Sequence, residues 1–392
     1  MATDTSHSDR AVLVLGLGTL AASASLRATD PLLPGLALEF ATTPGSAAAA
    51  TTAFFIGYGL LQFVHGPIGD RYGKVRTVSI QAGLAAVATF LCALAPSLDL
   101  LTLARLVAGF FVGAVIPLSL AWIGDVVAYA RRQEVLAKLM VWQIGGACVG
   151  LAAGGWFAEH LSWRWSFVAI AALFALAAVL LALEVRSNPA ARASVAKTQR
   201  TSALALLRER WVRVILSSVF IEAMFGFTAM SFIPLHLHRS LGLNLALSGL
   251  LVTLMAMGGL SYALSASRLV PRFGERGLAG YGGVAFGGAL ALLALVPHVA
   301  VAVIMLVVMG TGLYALHGTI QVHATQMAPQ ARGAGVSTFA FFLFAGQSIG
   351  TFLGSLAVDA VGTTPILLVA AGGVWLLSMA FRGQLARRAS SA

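Results

Sequence analysis

Apolar runs, each about as long as a bilayer is thick, succeed one another along this chain with little between them. A membrane helix needs about 20 mostly apolar residues. Twelve stretches meet that requirement: 11–36, 47–65, 77–95, 99–122, 135–158, 165–183, 212–236, 245–267, 278–296, 299–322, 333–358 and 363–381. A backbone in lipid must satisfy its own hydrogen bonds, and runs of this length do so as α-helices. The charge content excludes the soluble alternative. Only 10% of the 392 residues are charged, against roughly 25% in an ordinary soluble domain. The first run, with its Ala21-Ala-Ser-Ala24, imitates a secretory signal. Only Arg10 precedes it and its apolar character continues to Leu36, so it reads as the first span.

The basic residues orient the spans. With the N-terminus inside, 21 of the 25 Lys and Arg fall on the inner side. Only Arg164 and Arg239 fall outside, and Arg27 and Arg105 lie within spans. This is the positive-inside bias. It predicts a multi-pass protein of the cell inner (plasma) membrane with both termini cytoplasmic. Topology thereby accounts for the net charge of +11, and no nucleic-acid partner is expected. Cys92 and Cys148 sit in apolar runs and imply no disulfide framework. No G-x-x-x-x-G-K-[ST] loop occurs, which argues against ATP-driven transport. The i,i+4 pairs Met305/Met309 and His323/Met327 have a spacing that suits a soft metal. Methionines at helical spacing more often fill cores, so no metal, cofactor or enzymatic activity is assigned.

The longest polar connection, 184–210, divides the spans six and six. We expect an N-terminal six-helix bundle (1–183), a cytoplasmic linker (184–210) and a C-terminal six-helix bundle (211–392). The second half echoes the first at an offset of about 201 residues. Arg71-Tyr-Gly73 answers Arg272-Phe-Gly274, Arg131 answers Arg332, Gly109 answers Gly310, and Pro34 answers Pro234. Parallel six-span halves of this kind place a transport site between them near the midplane.

The loop after span two reads Gly66-Pro-Ile-Gly-Asp70-Arg71-Tyr-Gly73-Lys74-Val-Arg76. On its own it is either an ordinary basic loop or a cluster of switchable ion pairs. It closely resembles the cytoplasmic signature of the major facilitator superfamily, G-x-x-x-D-R-x-G-R/K, through Gly66, Asp70, Arg71, Gly73 and Lys74. The resemblance covers essentially the whole chain. It implies an all-α integral membrane protein of twelve transmembrane helices in two six-helix pseudo-repeat bundles. It also implies that Asp70, Lys74 and Asp125, at the inner end of span four, form a gating charge cluster. In the second half Pro271 replaces the acid, so gating should be asymmetric. Span five carries Gly146, Gly150, Gly154 and Gly155, similar to the family's antiporter pattern but with Leu151 in place of its proline. The same glycines suit close helix packing.

Charges inside spans are costly and mark function by default. Arg27, Asp30, Arg105 and Glu222 are the four exceptions. At about 1.5 Å of rise per residue, Arg27, Asp30 and Arg105 share one depth band about 5–10 Å beyond the midplane, and Glu222 lies about 3 Å from it. The first three are either a structural cluster or a proton switch whose acid, Asp30, alternates between environments as a cavity opens and closes. Asp30-Pro-Leu-Leu-Pro34 also resembles the acid-then-proline segment of twelve-span drug/proton antiporters. Arg27 is foreign to that pattern and favours a neutral or anionic substrate. Glu222 reads as a lone carboxyl, either hydrogen-bonded to another helix or a second coupling group. The proton-coupling candidates are therefore Asp30, Glu222 and Arg105. Candidates for lining a substrate cavity are Arg27, Asp30, Tyr58, Gln62, Trp142, Gln143, Phe225, Phe227, Tyr314, Gln321, Phe344 and Gln347, since small-molecule sites combine apolar walls with a few polar groups. The expected function is proton-coupled efflux of small hydrophobic or amphipathic molecules, with protons, a small-molecule substrate and the bilayer as partners and a monomer sufficient. The rival expectation is a symporter or facilitator importing an organic anion or another small nutrient.

Overall fold

Helices are the response to those apolar runs. The computed structural model describes residues 2–188, 191, 206–327 and 332–391, and every element assigned in them is helical. Among the described residues ten helices are long and apolar enough to cross a membrane. A pair bent by 49°, Pro44–Leu60 and Gln62–Tyr72, makes an eleventh. The count reaches twelve because Leu245–Leu295, 51 residues long, contains spans eight and nine together. They meet at Gly274, where φ is 60° and ψ 176°. The expected loop there is thus a helical stretch with one sharp kink. Its first-half counterpart, Gly73, has φ 90°. Only glycine enters this region of backbone space without a steric penalty. Of the expected 184–210 linker, residues 189–190 and 192–205 lie outside the described residues.

The repeat extends to atomic contacts. Thr43 and Asn244 cap the first turns of spans two and eight, accepting from the amides of Ser46 and Leu247. Ser97 and His298 cap spans four and ten, accepting from Leu100 and Ala300. Span five crosses span one where Gly146 and Gly150 lie on the carbonyls of Leu20 and Ala24, and span eleven crosses span seven where Gly346 and Gly350 lie on those of Phe220 and Met224. Gly57 on Leu106 and Gly109 on Phe54 recur as Gly258 on Val307 and Gly310 on Met255. A Cβ at any of these glycines would collide with the facing carbonyl oxygen. Small residues let membrane helices approach to backbone contact in this way.

Three spans depart from regular helix at places that matter below. Span one leaves the α conformation after Arg27 and passes through a 3₁₀ turn, Asp30–Leu32, before Leu33–Glu39. Pro31 and Pro34 sit at the starts of those pieces, where a missing amide costs least. Span four is divided between Leu98–Val112 and Val115–Val126. Span seven contains a π turn, Ala223–Phe227, a device that inserts one residue and redirects side chains.

Two apolar cores result. One lies within the first half, with Phe344 packed against it from the second. The other fills the second half and continues onto Leu32, Leu33, Leu36, Ala47 and Ala48 of the first. Those five residues lie at the end of the bundle opposite the chain termini, here termed the far end. The terminal end is tied by ion pairs of Arg131 with Asp9 at 3.0 Å and of Arg10 with Glu184.

Candidate transport site

The break in span one builds the first polar site. Asp30 opens the 3₁₀ turn and is fully buried. Arg27, three residues earlier, donates from Nη1 to Asp30 Oδ2 at 3.3 Å, and its Nη2 reaches Met230 Sδ of span seven at 3.7 Å. The Ser231 side chain lies against the Asp30 carboxyl. Residues from both halves therefore enclose one ion pair. Arg105 stays within electrostatic reach of Asp30, but its hydrogen bonds go elsewhere. Its guanidinium donates to the Ser25 hydroxyl at 3.3 Å and the Ser25 carbonyl at 3.1 Å. It also lies 3.8 Å over the Phe54 ring and 5.6 Å from Phe167. Such stacking and fork-like donation are what an arginine performs and a lysine does not. Arg105 thus fastens span four to span one beneath Asp30.

Glu222 is not a lone carboxyl. Its Oε2 lies 2.8 Å from His317 Nδ1 of span ten, and the side chain is buried. The π turn begins at the next residue and brings Phe227 against the His317 ring, centroids 5.3 Å apart. Phe339 of span eleven lies 6.1 Å from the same ring, centroid to centroid. Glu222 Oε1 is buried with no hydrogen-bond partner among the described residues. Sequence reasoning missed His317 because its partner stands 95 positions away. A histidine within an apolar run was the only available signal.

The cavity candidates separate by placement. Tyr58 and Phe344 stack across the two halves with centroids 4.0 Å apart, and Phe55 approaches Phe344 at 6.3 Å. Gln62 is buried, donating to the carbonyls of Tyr58 and Gly113 at 3.0 and 3.1 Å, which serves the break in span four. Gln347 is buried, and its backbone carbonyl accepts from the Thr228 hydroxyl at 3.4 Å. Trp142 covers Gly16, Tyr314 lies on Gly259, and Phe225 packs on Gly373 of span twelve. Of the two phenylalanines, Phe227 is therefore the one beside the polar pair. Gln143 is half-buried and Gln321 exposed.

At the terminal end Lys74 Nζ lies 2.8 Å from Asp70 and 2.6 Å from Asp125. One ammonium thus joins spans two, three and four. Gly73 supplies the positive-φ turn before it, Gly66 has open space around it, and Arg71 lies over the Tyr72 ring at 5.2 Å. In span five Gly154 sits on the Ala28 carbonyl and Pro31, and Gly155 on Leu245 of the other half.

Membrane-length apolar helices in two repeated halves, with a buried acid–base pair within each half, fit a membrane transporter built from repeats. The sequence profile of the Major Facilitator Superfamily matches residues 15–351. The chain belongs to this superfamily, whose members carry small molecules across membranes. It is 29% identical to the MFS-type transporter YceJ of Bacillus subtilis (strain 168) over 62% of this chain and 63% of that one. It is 30% identical to the puromycin resistance protein pur8 of Streptomyces alboniger over 41% of this chain and 33% of that protein. The chain spans 26–63% of the length of the first curated relatives it matches. The fold is similar to the crystal structure of the nucleoside transporter NupG, with a TM-score of 0.77, 16% identity, and coverage of 96% of this chain and 99% of that one.

Proposed function

We propose that this transporter exports small hydrophobic or amphipathic molecules in exchange for protons, acting as a monomer in the cell inner membrane. The halves 1–183 and 211–392 rock about the midplane, the linker 184–210 and both termini are cytoplasmic, and the far end faces outward. The observation that carries this reading is the presence of two buried acid–base pairs, one per half: Arg27–Asp30 and Glu222–His317. Parting either pair while it is still shut off from water would strand a charge in a low-dielectric site, so a proton or a substrate group has to take the lost partner's place. The Tyr58–Phe344 contact between the halves offers aromatic faces that suit an apolar substrate. The bias of 21 inner against 2 outer basic residues supports the orientation. The resistance function in the name of the Streptomyces relative supports export.

Purified protein in proteoliposomes tests this. An imposed pH gradient should drive uphill movement of a hydrophobic dye. Asp30→Asn and Glu222→Gln should each abolish the uphill component while downhill exchange persists. Full gradient-driven transport by both variants would refute proton coupling through these groups. Arg27 favours the rival, import of an organic anion. Symport and antiport shift external pH in opposite directions when substrate is added to cells, so the sign decides.

A further inference from the structure

Two acidic residues outside the transport site occupy equivalent places in the repeat. Glu159 ends span five and Asp359 ends span eleven, 200 positions later. Leu245 opens span eight and Gly45 opens span two, again 200 positions apart. Glu159 Oε2 accepts from the Leu245 amide at 2.9 Å, and Asp359 Oδ1 accepts from the Gly45 amide at 3.2 Å. Each carboxylate therefore caps the first turn of a helix in the opposite half, and the two contacts are interchanged by the internal symmetry. The backbone follows the same rule. Gly155 lies against the Leu245 carbonyl, and Gly45 against the Ser355 carbonyl.

The division of labour at these helix starts is informative. The first four amides of a helix lack partners within it. Thr43 and Asn244 satisfy the Ser46 and Leu247 amides from within their own half. The Gly45 and Leu245 amides are served only across the seam, among the described hydrogen bonds. A carboxylate there gains both the hydrogen bond and the positive end of the helix dipole. Those two bonds exist only while the far end is shut. The capping bonds of Thr43 and Asn244 survive its opening.

We propose that Glu159 and Asp359 are paired positioning residues that hold the far end closed and thereby set the balance between the two access states. The inference rests on the alternating-access part of the function proposed above. It does not depend on proton coupling, substrate or orientation. Removing a side-chain cap typically shifts an equilibrium about fivefold. Rigid-body opening breaks both contacts together, so the two effects multiply.

Ser248 is the reporter. It is fully buried, follows Leu245 by three residues and precedes Gly249, which lies on the Leu151 carbonyl of span five, and it has a hydroxyl without a partner among the described residues. Ser248→Cys in a Cys92→Ala/Cys148→Ala background is alkylated with a maleimide in nanodiscs, where both faces are reachable and no gradient exists. Glu159→Ala and Asp359→Ala should each raise the labelling rate about fivefold, and the double variant about 25-fold. A second reporter, Ala82→Cys, lies in the interior of the first half and should stay unreactive in every variant. Unchanged Ser248→Cys rates overturn the proposal and leave proton-coupled export standing. A parallel rise at Ala82→Cys overturns it as well, because the carboxylates would then hold the fold and not the seam. Failure of the Asp30 and Glu222 transport test would leave these labelling ratios untouched.

Discussion

Cutting the Glu222–His317 pair from one side should harm the protein more than deleting it. In His317→Leu the volume is nearly kept, but the buried Glu222 carboxyl loses its 2.8 Å partner, and its other oxygen already lacks one among the described residues. Gly226, Phe286, Leu313, Leu316 and Val374 surround it and offer no replacement side-chain hydrogen bond. The cost is about 2–5 kcal/mol, the lower figure for a neutral pair and the upper for a charged one. Adding Glu222→Leu removes the stranded group and fits the same apolar lining, so the double variant should recover most of the loss. At roughly 2 °C per kcal/mol for a half of this size, His317→Leu should unfold about 4–10 °C below the unaltered protein, with the double variant within about 2 °C of it. Thermal unfolding in detergent, followed by tryptophan fluorescence at fixed scan rate, reads the ranking. The transport assay then separates stability from coupling. The double variant should exchange substrate downhill yet show no response to a pH gradient. If His317→Leu is as stable as the double variant, the pair is not a mutual dependence and the reasoning fails.

Other outcomes follow from the same contacts. Arg105→Lys should cost about 2 kcal/mol or more, because a lysine cannot reproduce both bonds to Ser25 and the stacking over Phe54; unfolding temperature reports it. Lys74→Ala leaves Asp70 and Asp125 facing one another, and the partly exposed site limits the cost to about 1 kcal/mol. That loss should shrink in 0.5–1 M salt, where screening reaches within about 5 Å, and a salt-independent loss would argue against an electrostatic cluster. Gly350→Ala should disrupt the crossing of spans seven and eleven by driving a methyl into the Met224 carbonyl, whereas Gly288→Ala, with nothing within 4 Å, should be silent; gel-filtration profiles of the solubilised proteins compare them.

The legible parts of this molecule are those written in local pattern. Apolar length gave helices, basic asymmetry gave an orientation to test, and the matched segments Arg71-Tyr-Gly73 and Arg272-Phe-Gly274 of the sequence repeat both end on a positive-φ glycine. The loop signature also brought Asp70, Lys74 and Asp125 together. What stayed hidden is what depends on tertiary crossing. Spacing relates Arg27 to Asp30 because they stand three residues apart within span one, but nothing in spacing relates Glu222 to His317, or Arg105 to Ser25. The π turn after Glu222 adds a second obstacle, since one inserted residue rotates every later side chain of span seven relative to an ideal helix. Glu159 and Asp359 were invisible for a third reason. A charged residue at the end of an apolar run is the ordinary sign of a membrane boundary, so composition assigns it no further meaning. Only when the 201-residue echo is extended to span ends do both acids fall on equivalent positions, each opposite the other half's helix start. The repeat that first indicated the fold is therefore also the means of finding which boundary charges act between the halves.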